Sequence, residues 1–127
     1  MAAAAARRVM FMGANGFPAG VYEPVTTHLE SMLAEKGTSV QVTGVDYHAY
    51  LKLGETSNWE ALVDMTVEKG LELAKQNQNE RITAIGHSAG GALISCAASK
   101  ASNLFDNVVL VDPPMFNPYK VRARDRA

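Results

Sequence analysis

Gly86-His87-Ser88-Ala89-Gly90 is the stretch of this chain whose residue types and spacing could do covalent chemistry. It follows the apolar run 82–85 and precedes the small-residue run 91–98, which places a serine at the turn between a strand and a helix. Such a turn is sharp and leaves no room for side chains beside it, so glycines two residues before and after the serine supply the space. The turn lifts the Ser88 hydroxyl above the carboxyl edge of a sheet. The helix that follows aims its first amides and positive dipole end at any oxyanion formed there. Nucleophilic attack on an acyl carbon is the chemistry this arrangement serves. Acyl transfer of this kind calls for no cofactor and no metal.

A serine hydroxyl needs a base within hydrogen-bond reach. The three histidines are His28, His48 and His87. His87 directly precedes Ser88, so its side chain diverges from the hydroxyl. His48 lies on the loop after the second strand, one strand further from Ser88 than the first strand is, and His28 sits on a helix face. Asp112, at the end of the fourth strand, is a candidate acid, and equally a loop-starting residue before Pro113. No histidine is visibly placed to serve as base, so fast turnover by this chain alone is not expected.

The elements that must position these residues can be read in order. Residues 8–12 form a short apolar strand ended by Gly13-Ala14-Asn15-Gly16-Phe17-Pro18. From Val21, the positions Val21, Val25, Leu29, Met32 and Leu33 recur at helical spacing up to Gly37, with Pro24 in the first turn. Residues 38–46 alternate as a strand with one wetter face, expected near a sheet edge. A loop over 47–56 leads to Ser57-Asn58-Trp59-Glu60, the S-x-x-E form of a capping box. The helix after it buries Trp59, Leu62, Val63, Thr66, Val67, Leu71 and Ala74, with Gly70 marking close packing. Residues 81–85 are the third strand, 88–102 the helix after the turn, and 107–112 the fourth strand. The Val108-Val109-Leu110-Val111 run is apolar on both faces, as in a strand between helix layers. Alternating strands and helices at these spacings predict a three-layer α/β sandwich on a mostly parallel four-stranded sheet with right-handed crossovers.

At 127 residues the chain is read as a single domain over 1–127, with 113–127 an irregular basic tail. Twelve Lys and Arg against 13 Asp and Glu give no general attraction to nucleic acid. No apolar run approaches the roughly 20 residues of a membrane span. Cys96 is the only cysteine, which excludes an intrachain disulfide and paired-cysteine zinc sites and favours an intracellular compartment, cytoplasm or organelle lumen. It reads as a small buried residue on its helix. In the first eight residues the arginines follow the alanines, unlike a targeting segment. Nucleotide binding is disfavoured, because Gly13-Ala14-Asn15-Gly16 is not a G-x-G-x-x-G loop and no P-loop is present.

Gly86-His87-Ser88-Ala89-Gly90 between strand and helix, together with Gly13-Ala14-Asn15-Gly16-Phe17-Pro18 after the first strand, resembles the α/β-hydrolase superfamily of esterases, lipases and related enzymes. The resemblance covers residues 8–118. It implies a first strand between the second and third, with the fourth outside the third. It also implies that the Ala89 amide is one oxyanion donor and that the loop after the first strand supplies a second, from Ala14 or Asn15. Asp46-Tyr47-His48 matches a structural position of the superfamily. Met12 stands where a bracing histidine usually opens the first loop. The strand that usually carries the catalytic acid and the later loop that carries the histidine have no counterpart.

Two functions follow as expectations. One is a serine hydrolase acting on a carboxylic ester, thioester or amide, with Ser88, Ala89 and Ala14 forming its site and an acyl compound as substrate. The other is a catalytically inactive, hydrolase-derived subunit that docks in a larger assembly. The apolar fourth strand, with no neighbour beyond it, is expected to be covered by a protein partner or by self-association.

Overall fold

The computed structural model describes residues 6–15, 17–47 and 59–113. Strand β1 (Arg7–Met12) leads through a 3-10 turn (Ala19–Tyr22) into helix α1 (Glu23–Glu35), and β2 (Val40–Gly44) follows. Helix α2 (Trp59–Gln76), β3 (Ile82–His87), α3 (Ala89–Lys100) and β4 (Phe105–Val111) complete the order. The sheet runs β2-β1-β3-β4 with every pair parallel, the arrangement the superfamily resemblance implies. The chain leaves β1 outward to β2 and then crosses back to β3. The direction of winding therefore reverses between β1 and β3, and the loops that follow these two strands leave from adjacent carboxyl ends.

Alternation along β3 shows how the layers are filled. Ile82, Ala84 and Gly86 are buried on one side, and Thr83, Ile85 and His87 are half-buried on the other. The first side meets α2 and α3, and there the main core gathers Met10 and Met12 of β1, Leu62, Val63, Met65 and Leu73 of α2, and Leu93, Ile94 and Ala97 of α3. Burying one such side chain contributes about 1.5–3 kcal/mol. Gly70 lets α2 approach the connection between α3 and β4, since a Cβ there would lie 2.8 Å from a Leu104 methyl. Lys100 ties α3 to Glu60 and Asp64 of α2 at the surface.

Several buried faces differ from the spacing-based reading. Helix α1 has no fully buried residue; Val25 is 62% exposed, Met32 and, in the turn before the helix, Val21 are also exposed, and of the apolar positions that set the spacing Leu29 and Leu33 alone lean inward. The physical reason is its neighbour, since α1 packs on the outer strand β2 and no described element covers its far flank. On α2, Leu71 is 51% exposed while Met65 and Leu73 are buried. This helix meets both the sheet and α3, so its buried arc is wider than a single stripe and turned away from Leu71. Cys96 is half-buried rather than enclosed, with the Trp59 indole N–H donating to its Sγ at 3.4 Å.

Strand β4 begins two residues earlier than predicted because of an irregularity at Asp106. Ile82 pairs with Phe105 but Thr83 pairs with Asn107, so Asp106 is the extra residue. Its carboxylate accepts from Arg7 at 2.8 Å and from the Thr83 hydroxyl at 3.0 Å, which stitches β1, β3 and β4 on one face. Val108, Val109, Leu110 and Val111 are 38–47% exposed. The run expected to be buried between helix layers is thus exposed, while its place at the margin of the described sheet is the expected one. Ser57, Asn58, His48 and the basic tail beyond Pro113 lie outside the described residues.

Candidate functional site

Ser88 sits between β3 and α3 at φ 54°, ψ −122°, a backbone conformation rarely adopted by a residue with a Cβ. Its backbone N–H donates to the Val111 carbonyl of β4 at 3.0 Å, and its carbonyl accepts from the Gly91 and Ala92 amides at 2.9 and 3.3 Å. Ser88 is thus the N-cap of α3 through its main chain. Its side chain makes no capping bond, although serine at that position commonly does. The hydroxyl is left available above the turn.

The flanking glycines are required by close approach. A Cβ on Gly86 would lie 2.5 Å from Gly91 Cα, and one on Gly90 would lie 2.3 Å from the Met12 carbonyl oxygen and 2.6 Å from that of Gly13. Both obstacles are backbone and have nowhere to go. Gly90 therefore lets the first turn of α3 rest directly on the end of β1, and this brings the β1 loop to the elbow. Ala89, at the first position of α3, has no intrahelical partner for its amide. Neither it, the Asn15 amide nor the Ser88 hydroxyl hydrogen-bonds a described residue.

The β1 loop is held by two tyrosines. Tyr47 donates its hydroxyl to the Gly13 carbonyl at 2.8 Å, and the Ala14 amide donates to the Tyr22 hydroxyl at 2.8 Å. The Tyr22 ring lies where a side chain at Gly13 would have to be, 2.1 Å from its ideal Cβ, and packs on Phe11 with centroids 4.8 Å apart. Tyr22 also meets the His87 Nδ1 at 2.9 Å. Burial, reinforced by Tyr22 and Asp46 nearby, pushes the Tyr47 phenol up to about 12, so it remains a donor at neutral pH. With Met12 at the place of a bracing histidine, these phenols do the bracing.

The structure brings Ser88, Ala89 and the 13–15 loop to one end of the sheet. His87 shares the face of Thr83 and Ile85 and is engaged with Tyr22, away from the serine turn. His28 is exposed on α1. Asp112 follows Val111 at φ 50° and is exposed at the same carboxyl edge. Among the described residues no group of three or more potential ligands could hold a metal ion. No described helix is long and apolar enough to cross a membrane. Sequence reading missed Tyr22 and Tyr47 as site residues. Spacing carries no signal for them, because their partners lie 8 and 34 residues away and are main-chain atoms.

The chain belongs to the alpha/beta hydrolase fold family, whose sequence profile matches residues 58–125. No curated protein matches it by sequence. Among solved structures it is similar to the phospholipase PlaB from Legionella pneumophila, with a TM-score of 0.69 at 14% identity over 87% of this chain and 25% of that one. A predicted CIB-like hydrolase from Thermoplasma acidophilum gives 0.61 at 14% identity over 84% of this chain and 51% of that one. An N-formylmaleamic acid deformylase from Pseudomonas putida S16 gives 0.61 at 19% identity over 93% and 44%. At these identities the likeness is one of fold. The chain spans between a quarter and about half the length of these structures.

Proposed function

We propose that this chain carries the nucleophile and oxyanion part of a serine hydrolase site, with Ser88 Oγ attacking the carbonyl carbon of an ester, thioester or amide. The observation that supports this reading most is the strained Ser88 backbone, combined with a hydroxyl that declines the capping bond open to it. The Ala89 amide serves as one oxyanion donor. The second comes from Asn15 rather than Ala14, because the Ala14 N–H is donated to Tyr22. The tetrahedral oxyanion then rests between the start of α3 and the β1 loop. The base is the missing partner among the described residues, since His87 is tied to Tyr22 and His28 faces solvent. Loss of one triad member removes about four orders of magnitude of rate, so these residues alone acylate slowly.

A fluorophosphonate probe with peptide mapping tests this. Slow labelling confined to Ser88 and abolished in Ser88→Ala is expected. Labelling that persists in Ser88→Ala, or none in the wild type, overturns the assignment of the nucleophile. Labelling as rapid as that of an ordinary serine hydrolase overturns the absence of a base and directs attention to His48.

The exposed β4 margin favours a second reading, a hydrolase-derived subunit that docks along that strand. Under it Ser88 takes no label and the chain is found self-associated or with a fixed protein partner.

A further inference from the structure

The Gly13 carbonyl and the Ala14 amide belong to one peptide group, and a tyrosine hydroxyl binds each end of it: Tyr47 donates to the oxygen and Tyr22 accepts from the N–H, both at 2.8 Å. We infer that Tyr22 and Tyr47 form a clamp that fixes the orientation of the Gly13–Ala14 peptide plane and thereby positions the loop that supplies the second oxyanion donor. The inference rests on reading Ser88 as a nucleophile; the clamp itself is defined by the contacts.

In a trans peptide the C=O and N–H point in opposite directions, so two bonds on opposite sides resist rotation of the plane more than either does alone. Rotation of this plane would release the Ala14 amide and re-aim the Asn15 amide that follows it. Gly13 is part of the device, since any side chain there would displace the Tyr22 ring. His87 completes it. The Tyr22 oxygen already accepts the Ala14 proton, and its own O–H needs an acceptor. His87 Nδ1 at 2.9 Å is that acceptor when the imidazole proton is on Nε2. With the proton on Nδ1 instead, the phenol hydrogen would have no described partner. The chain of contacts Ala14, Tyr22, His87 thus ties the β1 loop to the residue immediately before Ser88. Donor placement within about 0.5 Å is what an oxyanion site demands, and such a tether supplies it.

Two readouts on the full chain test the clamp. Hydrogen exchange at the Ala14 amide should quicken by about ten-fold in Tyr22→Phe, corresponding to the loss of one hydrogen bond, and also in His87→Leu. In His87→Asn, which keeps an acceptor near the Nδ1 position, protection should stay within about two-fold of the wild type. The labelling rate of Ser88 should fall by a similar factor in Tyr22→Phe and Tyr47→Phe, with the double variant no slower than the worse single one, as expected for two ends of one peptide. The imidazole nitrogen shifts of His87 should move from the Nε2–H pattern in Tyr22→Phe. Should Tyr22→Phe fail to fold, Tyr47→Phe and the His87 pair report on the same amide. Unchanged Ala14 exchange in folded variants overturns the clamp. Faster exchange with unchanged labelling overturns its positioning role. If Ser88 takes no label in the wild type while Ala14 loses protection in Tyr22→Phe, the clamp stands and the nucleophile reading falls.

Discussion

Ser88 holds a conformation that costs a residue with a Cβ about 1–3 kcal/mol, and the surroundings hold it there. The Val111 carbonyl pins its amide and the first turn of α3 pins its carbonyl. Glycine adopts the same angles without that cost. Ser88→Gly should therefore exceed Ser88→Ala in unfolding free energy by about 1 kcal/mol, read from denaturant curves, although neither takes a covalent label. Equal stability of the two variants would show that position 88 stores no strain. Gly86, Ser88 and Gly90 were legible in the sequence because their spacing falls within one strand-to-helix turn, although the carbonyls that Gly90 must clear belong to Met12 and Gly13, far back along the chain. Tyr22 was not, since its partners are an amide eight residues back and an imidazole 65 residues on.

Loops and helices are joined by contacts of the same kind. Tyr47, just beyond β2, reaches the end of β1, and its phenol is raised from 10 to about 12, chiefly by burial. The folded state keeps this proton at a pH where the unfolded chain gives it up. The stabilisation is full below pH 10 and is lost as pH rises from 10 towards 12. Urea midpoints recorded by circular dichroism across that window should fall more steeply for the wild type than for Tyr47→Phe; parallel curves would place the phenol outside the folding equilibrium. The buried Asn77 plays a similar connecting part. Its side chain accepts from the Arg8 amide at 2.9 Å and donates to the Arg81 carbonyl at 3.3 Å, so the end of α2 is fixed to the entry of β1 and β3. Helix α1 is the contrasting case, because its apolar spacing was legible while its burial was not.

At the scale of the described sheet, the winding reversal places the serine turn beside the β1 loop, and the outer position of β4 leaves four apolar residues exposed among the described residues. Such a margin favours pairing with another chain, and a charge on it opposes that pairing. The wild type is expected to show concentration-dependent association by light scattering, and Val109→Lys to reduce it without unfolding the chain. A monodisperse wild-type monomer would contradict this. The sequence by itself determined the parallel α/β alternation and the glycine-flanked serine between strand and helix, because these depend on periodicity and on spacing within a few residues. Only the tertiary structure decided which side of α1 and α2 is buried, that Asp106 interrupts the pairing of β3 with β4, and that the Ala14 amide is spent on a tyrosine. Each of those depends on which atoms, distant along the chain, arrive at the same place.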